Sequence, residues 1–296
     1  MHSGFVSIIG KPNVGKSTLL NRLVGMKLAG VSKKPQTTCI VIRGILSESR
    51  GQIVFLDTPG FHEPKDAIGR FMMRQATQTF LDADLFYVLA DPVPPDEGMG
   101  ALLDRIEAEQ LEDKMRKPVF CLINKIDTIS KPELLPVLDQ YQKRFSFDEM
   151  IPISAQRGDQ VDLLVDQTYA RLPEHEPYFP PDITSDQAER VLVVEFIREK
   201  IFRFTGEEIP YAAAVQIEAF EEEDKLIRVH AVIFTEKDSQ KAILIGAAGQ
   251  KLKQIGTAAR KDLEQFLGKH VFLKLWVKTL KNWKKDERYL KRLGFK

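Results

Sequence analysis

Apolar residues in the first 172 positions form two kinds of segment. Short runs rich in β-branched residues are typical of strands buried in a parallel sheet, and they occupy residues 5–9, 39–46, 52–56, 84–90, 119–123 and 150–153. Segments with apolar residues at helical spacing predict helices, and these are residues 18–24, 69–82, 98–113, 132–145 and 161–172. Because strands alternate with helices, we predict an α/β fold with a mostly parallel, doubly covered sheet that binds its ligand at the carboxyl ends of the strands.

A proline-rich stretch over residues 172–181 ends this pattern, since it can form neither a regular helix nor a central strand. We therefore predict a first domain over residues 1–172, a linker over 173–185 and a second, smaller α+β domain over 186–296. The second domain has the predicted order helix, strand, strand, helix, helix, strand. These elements cover residues 186–204, 211–220, 226–234, 237–245, 250–267 and 271–278.

Residues 10–17, with the sequence GKPNVGKS, stand between the first predicted strand and the first predicted helix. They match the phosphate-loop template of Gly, four residues and Gly-Lys-Ser, in which backbone N–H groups and a helix N-terminus surround phosphate. We expect Lys16 to reach the β- and γ-phosphates and Ser17 to ligate Mg²⁺. The residues expected to contact a nucleotide here are Gly10, Asn13, Val14, Gly15, Lys16, Ser17 and Thr18.

Two further segments are placed to sense the γ-phosphate. The polar, proline-broken residues 33–38 predict a mobile loop, from which Thr38 joins the Mg²⁺ shell. Residues 57–60, DTPG, follow an apolar strand, so that Asp57 is placed to hold Mg²⁺ through a water and the Gly60 N–H to meet a γ-phosphate oxygen. The predicted metal-site residues are Ser17, Thr38 and Asp57, and the predicted catalytic residues are Lys16, Asn13 and Gly60.

The tetrad Asn124-Lys125-Ile126-Asp127 follows the strand at 119–123 and predicts a guanine reader. The Asp127 carboxylate can accept from the ring N–H and the exocyclic amine of guanine, a donor pair that adenine lacks. The Lys125 stem is expected to pack over the base, and Asn124 to tie this loop to the phosphate loop. The backbone of Ser154 and Ala155, after the last strand, is expected to support the guanine oxygen.

Charge is distributed unevenly along the chain, although the formal net charge is only +1. Residues 241–296 carry 15 Lys and Arg against 4 Asp and Glu, a net +11, whereas the remainder carries 28 against 38, a net −10. Such asymmetry favours a polyanionic partner for the C-terminal part.

A Gly-x-x-Gly loop, residues 246–249, joins two predicted helices in this basic part. After a β-hairpin, such a loop is typical of the backbone clamp of a type II KH domain. We expect Ile243, Ile245, Leu252 and Ile255 to line an apolar groove beside it. The predicted RNA-binding residues are Gly246, Ala247, Ala248, Gly249, Lys251 and Lys253.

The sequence also indicates the cellular location of the protein. No run approaches the roughly 18 apolar residues of a membrane span, and the first strand begins too soon after Met1 for a signal peptide. The two cysteines, Cys39 and Cys121, form no disulfide framework and favour a reducing cytoplasm. The five histidines lack metal-ligand spacing.

Taken together, the chain resembles the Era-like family of bacterial ribosome-assembly GTPases over nearly all its length. The passages that carry the resemblance are residues 10–17, 34–38, 57–65, 124–127, 245–262 and 275–278. It implies GTP and GDP as ligands with Mg²⁺, and binding to small-subunit ribosomal RNA near its three-prime end during assembly and maturation of the 30S subunit. It also implies a monomer in the cytoplasm and, for some members, peripheral association with the inner face of the cell membrane.

Four residues, in three places of the chain, depart from related proteins. Ala247 and Ala248 stand where the family carries Arg or Lys, so phosphate contacts are expected to fall to flanking lysines. Cys39 replaces the usual Arg after the paired threonines, so the first switch is expected to be held differently. Phe61 occupies the position of a water-orienting glutamine, so either a partner's arginine or a K⁺ ion bound with the help of Asn13 must stabilise the developing charge.

Two other functions stay open from sequence. A P-loop kinase or ATPase is disfavoured by residues 124–127, and competition between ATP and GTP would discriminate it. An RNA-binding scaffold with a purely structural nucleotide site is the second, and single-turnover hydrolysis with and without RNA would separate it from a switch.

Overall fold

The computed structural model describes residues 1–32, 34–35, 37–64, 66–112, 116–206 and 208–295. Parts of four predictions therefore lie outside the described residues: Lys33 and Gln36 of the mobile loop, Lys65 of the family motif, Asp113 as a helix end and Lys296 as a domain end. The chain forms two compact units. Unit 1 comprises Met1–Ala29, Thr38–Lys65 and Met72–Asp186, and unit 2 comprises Gly30–Thr37, Asp66–Phe71 and Gln187–Lys296.

Unit 1 contains the strands β1 His2–Gly10, β2 Ile42–Glu48, β3 Gly51–Asp57, β4 Leu85–Ala90, β5 Val119–Ile123 and β6 Glu149–Pro152. They form one sheet in the order β2-β3-β1-β4-β5-β6. Strand β2 is antiparallel to β3, and the other described pairs are parallel. Strands β3, β4 and β5 are buried along their whole length, as expected for the middle of a sheet covered on both faces.

The helices of unit 1 lie between or after these strands, at the predicted places. They are α1 Lys16–Val24, α2 Ala67–Asp82, α3 Glu97–Glu112, α4 Lys131–Arg144 and α5 Val161–Tyr169. The prediction extended α5 to residue 172, but the helix ends at Tyr169 and continues as a turn before Pro173, which disfavours helical backbone in the residue before it. Likewise β2 begins at Ile42 rather than 39, because its first partner is Asp57, where β3 ends.

The parallel arrangement of the strands brings the predicted site residues to one edge of the sheet. The carboxyl ends of parallel strands meet at one edge of a sheet. There β1 ends at Gly10, β3 ends at Asp57, and β4 and β5 are followed by Asp91 and Asn124.

The elements of unit 2 are α6 Glu189–Phe204, α7 Ile209–Ala212, β7 Ala213–Glu222, β8 Leu226–Thr235, α8 Asp238–Ile245, α9 Gln250–Leu267, β9 His270–Thr279 and α10 Glu287–Arg292. The three strands form a sheet in the order β7-β8-β9, in which β7 and β8 are antiparallel and β8 and β9 parallel. Every second residue of β8, namely Ile227, Val229, Ala231 and Ile233, faces inward and packs with buried residues of the long helices α6 and α9.

Two short α-helices in the described part of unit 2 were not predicted from the sequence. Tyr211, predicted to open a strand, lies in α7, where Pro210 occupies the first turn and lacks the N–H that a strand ladder needs. α10 is a six-residue helix, begun by Asp286, whose carboxylate accepts from the Arg288 backbone N–H at 2.9 Å. The predicted helix-strand-strand-helix-helix-strand order otherwise holds. Among the described residues, no helix has the length and apolarity to cross a membrane.

Candidate functional site

The phosphate loop is a sharp turn that only glycine can follow at two points. Gly15 has φ +103°, and a Cβ there would lie 2.3 Å from Asn124 Nδ2. Gly10 has φ +156°, and a Cβ there would lie 2.3 Å from the Leu89 carbonyl oxygen. Val14 is buried, and Thr18 lies in the first turn of α1. Since α1 starts without a side-chain cap or an acidic residue in its first turn, its N-terminal N–H groups suit an anion.

Lys16 and Asp57 are both buried at this edge of the sheet. Lys16 Nζ donates to the carbonyl oxygens of Gly10, at 3.0 Å, and Lys11, at 2.9 Å, so the ammonium lies over the loop. Burial lowers the Lys16 pKa to about 8, although Asp57 and Asp91 oppose the shift. Burial raises the Asp57 pKa to about 6, although Lys16 and a hydrogen bond from Ser17 oppose it.

The three residues predicted to serve a metal lie together. Ser17 Oγ donates to Asp57 Oδ2 at 2.6 Å and lies 3.0 Å from Thr38 Oγ1. The other carboxylate oxygen, Asp57 Oδ1, is buried and has no hydrogen-bond partner among the described residues. A buried, unpartnered carboxylate oxygen beside two hydroxyls suits Mg²⁺, a hard cation that prefers oxygen ligands and completes its shell with water and phosphate.

Gly60 is buried against the phosphate loop, where an added Cβ would lie 2.8 Å from Pro12 Cα. The Phe61 N–H donates to the Gly10 carbonyl at 3.0 Å, which fixes the turn after Asp57. The Phe61 ring packs against the apolar cluster under β4 and β5. Its side chain is thus engaged in packing and offers no hydrogen-bonding group to water.

Residues 124–127, the predicted guanine reader, are held by hydrogen bonds on both sides. Asn124 Nδ2 donates to the Val14 carbonyl at 2.7 Å, and Asn124 Oδ1 accepts from the Ala155 N–H at 2.9 Å. Lys125 Nζ donates to the Asn13 carbonyl at 2.7 Å. Asn124 and Lys125 therefore contact the phosphate loop directly, and the Ala155 backbone contacts Asn124.

Asp127 is oriented by Ser154. Ser154 Oγ donates to Asp127 Oδ1 at 2.7 Å, and this bond lowers the carboxyl pKa, with a smaller contribution from Arg157. The carboxylate therefore stays ionised at neutral pH and keeps the acceptors that a guanine edge needs.

Asp91 was missed by the sequence analysis. Its Oδ1 lies 2.8 Å from Lys125 Nζ, so it orients the lysine of the tetrad. The signal was present in the sequence, because Asp91 directly follows the predicted strand at residues 84–90, just as Asp57 follows the predicted strand at residues 52–56.

In unit 2, the Gly-x-x-Gly loop forms a left-handed turn between α8 and α9. Gly246 has φ +73° and Gly249 φ +76°, while Ala248 has φ +46°. The loop residues are half to fully exposed, and α9 begins at Gln250 without a side-chain cap or acidic first turn. Exposed backbone N–H groups at a helix N-terminus suit a phosphate.

The surroundings of this loop agree only in part with prediction. Lys253 is exposed and Lys251 half-exposed in the first turn of α9, and Ile243 is 52% exposed. Ile255, in contrast, is completely buried in the unit 2 core, because it lies on the inward stripe of α9 with Ala259 and Leu263. It cannot line an exposed groove.

Two families match this chain. The family described as 50S ribosome-binding GTPase matches residues 5–125, and the KH domain family matches residues 208–284. The matched ranges contain the phosphate loop and the Gly-x-x-Gly loop, respectively.

Relatives and solved structures match the whole length. The GTPase Era of Syntrophus aciditrophicus (strain SB) is 46% identical over 99% of this chain and 95% of that protein, and that of Staphylococcus haemolyticus (strain JCSC1435) is 45% identical over 99% and 97%. The structure of Era with MgGDPNP and nucleotides 1506–1542 of 16S ribosomal RNA has a TM-score of 0.93 at 38% identity, covering 100% of this chain and 99% of that one. A point variant of Aquifex aeolicus Era bound to GDP·AlF4⁻ has a TM-score of 0.91 at 38% identity over the same shares. The chain therefore belongs to the Era family of GTPases.

Proposed function

We propose that this protein hydrolyses GTP and binds small-subunit ribosomal RNA near its three-prime end, and so assists assembly and maturation of the 30S subunit. The observation that carries the proposal is the convergence of Lys16, Asp57 and Asp127 at the carboxyl edge of one sheet. These groups match a phosphate cation, a metal carboxylate and a guanine acceptor.

The phosphate side of the mechanism rests on positioning and electrostatics. The N-terminal N–H groups of α1 and the Lys16 ammonium hold the β- and γ-phosphates, and the Gly60 N–H meets a γ-phosphate oxygen. Ser17 and Thr38 supply ligand hydroxyls, and Asp57 the carboxylate. Mg²⁺, when bound, neutralises charge on the β- and γ-phosphate oxygens.

Guanine selectivity rests on Asp127, which Ser154 keeps oriented and ionised. Lys125 packs its stem along the base, and Asn124 couples this loop to the phosphate loop through Val14. A hydrogen-bond reader of this kind rejects adenine because its polar groups would then be left unpaired.

The RNA side rests on the turn at residues 246–249 and on Lys251 and Lys253. Backbone N–H groups at the start of α9 contact phosphate, and the two lysines add positive charge. The relative solved with nucleotides of 16S ribosomal RNA supports the same class of partner for this chain.

We infer the location of the protein from its cysteines. Among the described residues, neither Cys39 nor Cys121 takes part in a disulfide, and both are buried. Proteins without disulfides are typical of a reducing compartment, so we propose that the protein works in the cytoplasm.

The first test measures how well GTP and ATP displace a fluorescent guanine nucleotide from the protein. The second test measures single-turnover GTP hydrolysis with and without a small-subunit three-prime RNA. We expect GTP to displace the probe and ATP not, and hydrolysis that Lys16→Ala abolishes because it removes the phosphate cation. Equal competition by ATP would indicate a kinase or ATPase. Binding without hydrolysis in either condition would indicate an RNA-binding scaffold.

A further inference from the structure

Arg22, in the last turn of α1, is a charged side chain that the proposed mechanism does not use. Its Nε donates to the Ala155 carbonyl at 3.3 Å, and its Nη2 donates to the Gln156 carbonyl. Both carbonyls belong to the loop after β6, whose backbone is expected from the sequence to support the guanine oxygen. The helix and the loop lie in the same unit, unit 1. Arg22 therefore connects the helix that begins at the phosphate loop to the loop beside the base.

This loop is a tight turn that is closed by its own hydrogen bonds. The Ser154 carbonyl accepts from the Gly158 N–H at 2.7 Å. Gly158 has φ +93°, and a Cβ there would lie 3.8 Å from Arg22 Cζ, so the guanidinium lies against the turn. Its internal bonds give the turn its shape, and Arg22 fixes the turn to α1 through the carbonyls of Ala155 and Gln156.

The same turn carries the groups that are expected to serve the base. Ser154 Oγ donates to Asp127 Oδ1 at 2.7 Å, and the Ala155 N–H donates to Asn124 Oδ1 at 2.9 Å. Asn124 thus holds the N–H of Ala155 while Arg22 holds its carbonyl, so this residue is fixed on both sides. A displacement of the turn would move the Ser154 hydroxyl and the Ala155 N–H together.

A guanidinium carried by a helix is suited to hold such a turn. It is planar and its donors have a fixed geometry, so two bonds to neighbouring carbonyls restrict the orientation of both. α1 begins at Lys16, six residues before Arg22, and a helix rises about 1.5 Å per residue. The phosphate-binding lysine and the arginine are therefore held about 9 Å apart along one rigid element.

We propose that Arg22 is a positioning residue for guanine: it anchors the turn at residues 154–158 to α1, and thereby it places the Ala155 N–H and the Ser154 hydroxyl for the base. The inference deepens the proposed function, on which it rests, because it adds a residue outside the sequence motifs to those that set guanine affinity. Positive charge in the last turn of a helix is also favourable in itself. The experiments must therefore separate the anchor from this helix charge.

The first experiment measures how well GDP and 6-thio-GDP displace a fluorescent guanine nucleotide from the full chain. In 6-thio-GDP, sulfur, a weak acceptor, replaces the guanine oxygen, so wild type should prefer GDP. Arg22→Met removes both donors and should weaken GDP binding about tenfold. It should also reduce the preference for GDP over 6-thio-GDP, because the turn no longer holds its N–H at the oxygen.

An internal reference comes from GMP. The preference for GDP over GMP reports on the phosphate loop, so Arg22→Met should keep it as in wild type. A general loss of stability would not lower one preference and spare the other. An unchanged ratio of GDP to 6-thio-GDP affinity in Arg22→Met would overturn the inference.

Arg22→Lys separates the anchor from the helix charge. It keeps a positive charge in the last turn of α1 but lacks the planar fork, so it should keep the wild-type melting temperature and only part of the preference for GDP over 6-thio-GDP. A full wild-type preference in Arg22→Lys would assign the effect to the helix charge and overturn the inference. The matched control is Arg105→Met, which removes a guanidinium that pairs with Glu109 on α3 and should leave all the ratios unchanged.

The second experiment uses hydrogen exchange in the nucleotide-free full chain. Amides of residues 154–158 should exchange about tenfold faster in Arg22→Met, while those of the central strands β1 and β4 stay protected as in wild type. Equal exchange at residues 154–158 in the two proteins would overturn the inference, even if Arg22→Met were less stable.

The proposed function and this inference are contradicted by different results. If wild type bound ADP as tightly as GDP, the proposed function would be wrong, because the protein would not read guanine. If wild type preferred GDP to ADP but bound GDP and 6-thio-GDP equally, only the inference would be overturned, because the turn would then make no contact with the guanine oxygen.

Discussion

At the scale of single residues, the polar side chains of the nucleotide site are oriented by their own neighbours. Asn124 bridges Val14 and Ala155, Lys125 lies between Asp91 and the Asn13 carbonyl, and Ser154 holds Asp127. Side chains that are already held in one geometry lose less entropy on binding. Asp57 Oδ1 differs from these side chains, because it is buried with no hydrogen-bond donor among the described residues, which suits a cation ligand.

The first residue-scale prediction concerns Asp127→Asn. The change replaces one acceptor by a donor, so it should weaken GDP binding about 100-fold by leaving guanine donors unpaired. It should favour xanthine, whose edge presents an acceptor in place of the exocyclic amine. Competition of GDP and XDP for a fluorescent nucleotide measures the preference. Asp139→Asn, an exposed carboxylate on α4, is the control; unchanged guanine selectivity in Asp127→Asn would refute the assignment.

The second residue-scale prediction concerns Asn13 and K⁺. Asn13 has φ +66°, so Asn13→Gly removes the side chain without the backbone strain that alanine would introduce. Because the Phe61 ring packs against the core and cannot stabilise charge, we expect wild type to turn over at least about tenfold faster in K⁺ than in Na⁺ at equal ionic strength. Asn13→Gly should lose this difference. Equal wild-type rates in both salts would point instead to a partner's arginine.

At the scale of elements, one helix in each unit has the same kind of N-terminus. α1 and α9 each begin after a left-handed glycine, with no side-chain cap and no acidic residue in the first turn. α4 shows the alternative, since Ser130 and Glu133 form a capping box at its N-terminus. The uncapped N-termini keep N–H groups available for phosphate.

The element-scale prediction is that Gly249→Asp reduces RNA affinity at least about tenfold, because it places a carboxylate where backbone must approach phosphate. A Cβ at Gly249 meets nothing within 4 Å, whereas one at Gly246 would lie 2.6 Å from Lys251 Cβ, so Gly249 is the cleaner site. Filter binding measures the loss, while GTP affinity should persist.

Gly268→Asp is the matched control for that change. Gly268 has φ +65°, lies at the other end of α9, and also has no neighbour within 4 Å of an added Cβ. Gly268→Asp imposes the same backbone strain as Gly249→Asp. If the Gly268→Asp variant keeps its RNA affinity, the loss in Gly249→Asp must come from the place of the carboxylate and not from strain. Normal affinity in Gly249→Asp would contradict the clamp.

At the scale of the whole molecule, charge separates along the chain, with +11 over residues 241–296 and −10 over the remainder. Because these two net charges nearly cancel, the net charge of the whole chain does not reveal its strongly basic C-terminal region. A basic region binds single-stranded RNA largely by releasing counterions, which makes its affinity depend on salt.

The whole-molecule prediction is a salt slope. For single strands, each phosphate contact contributes about −0.7 to the slope of log affinity against log salt. Lys251→Ala with Lys253→Ala should therefore make the slope shallower by about 1.4. Lys143→Ala, on α4, should leave it unchanged. An identical slope in the double variant would remove both lysines from the interface.

Much of this protein could be predicted from sequence, because its signals are local. Apolar runs and helical spacing predicted the described strands of both sheets and all but two short α-helices of the described residues. The motifs at residues 10–17, 57–60 and 124–127 work through backbone turns at strand ends, so their spacing alone placed Lys16, Asp57 and Asp127 at one edge.

Only the tertiary structure decided which residues that are distant in the sequence contact each other. Ile255 proved to be core because the packing of α9, not its composition, chooses the buried stripe. The link from Asp91 to Lys125 and the hydrogen bond from Arg22 to Ala155 join residues 34 and 133 positions apart, respectively. Sequence periodicity reports which face of an element is apolar. It carries no information on which distant carbonyl or carboxylate a long, flexible lysine or arginine will meet, since that depends on how the chain folds back in space.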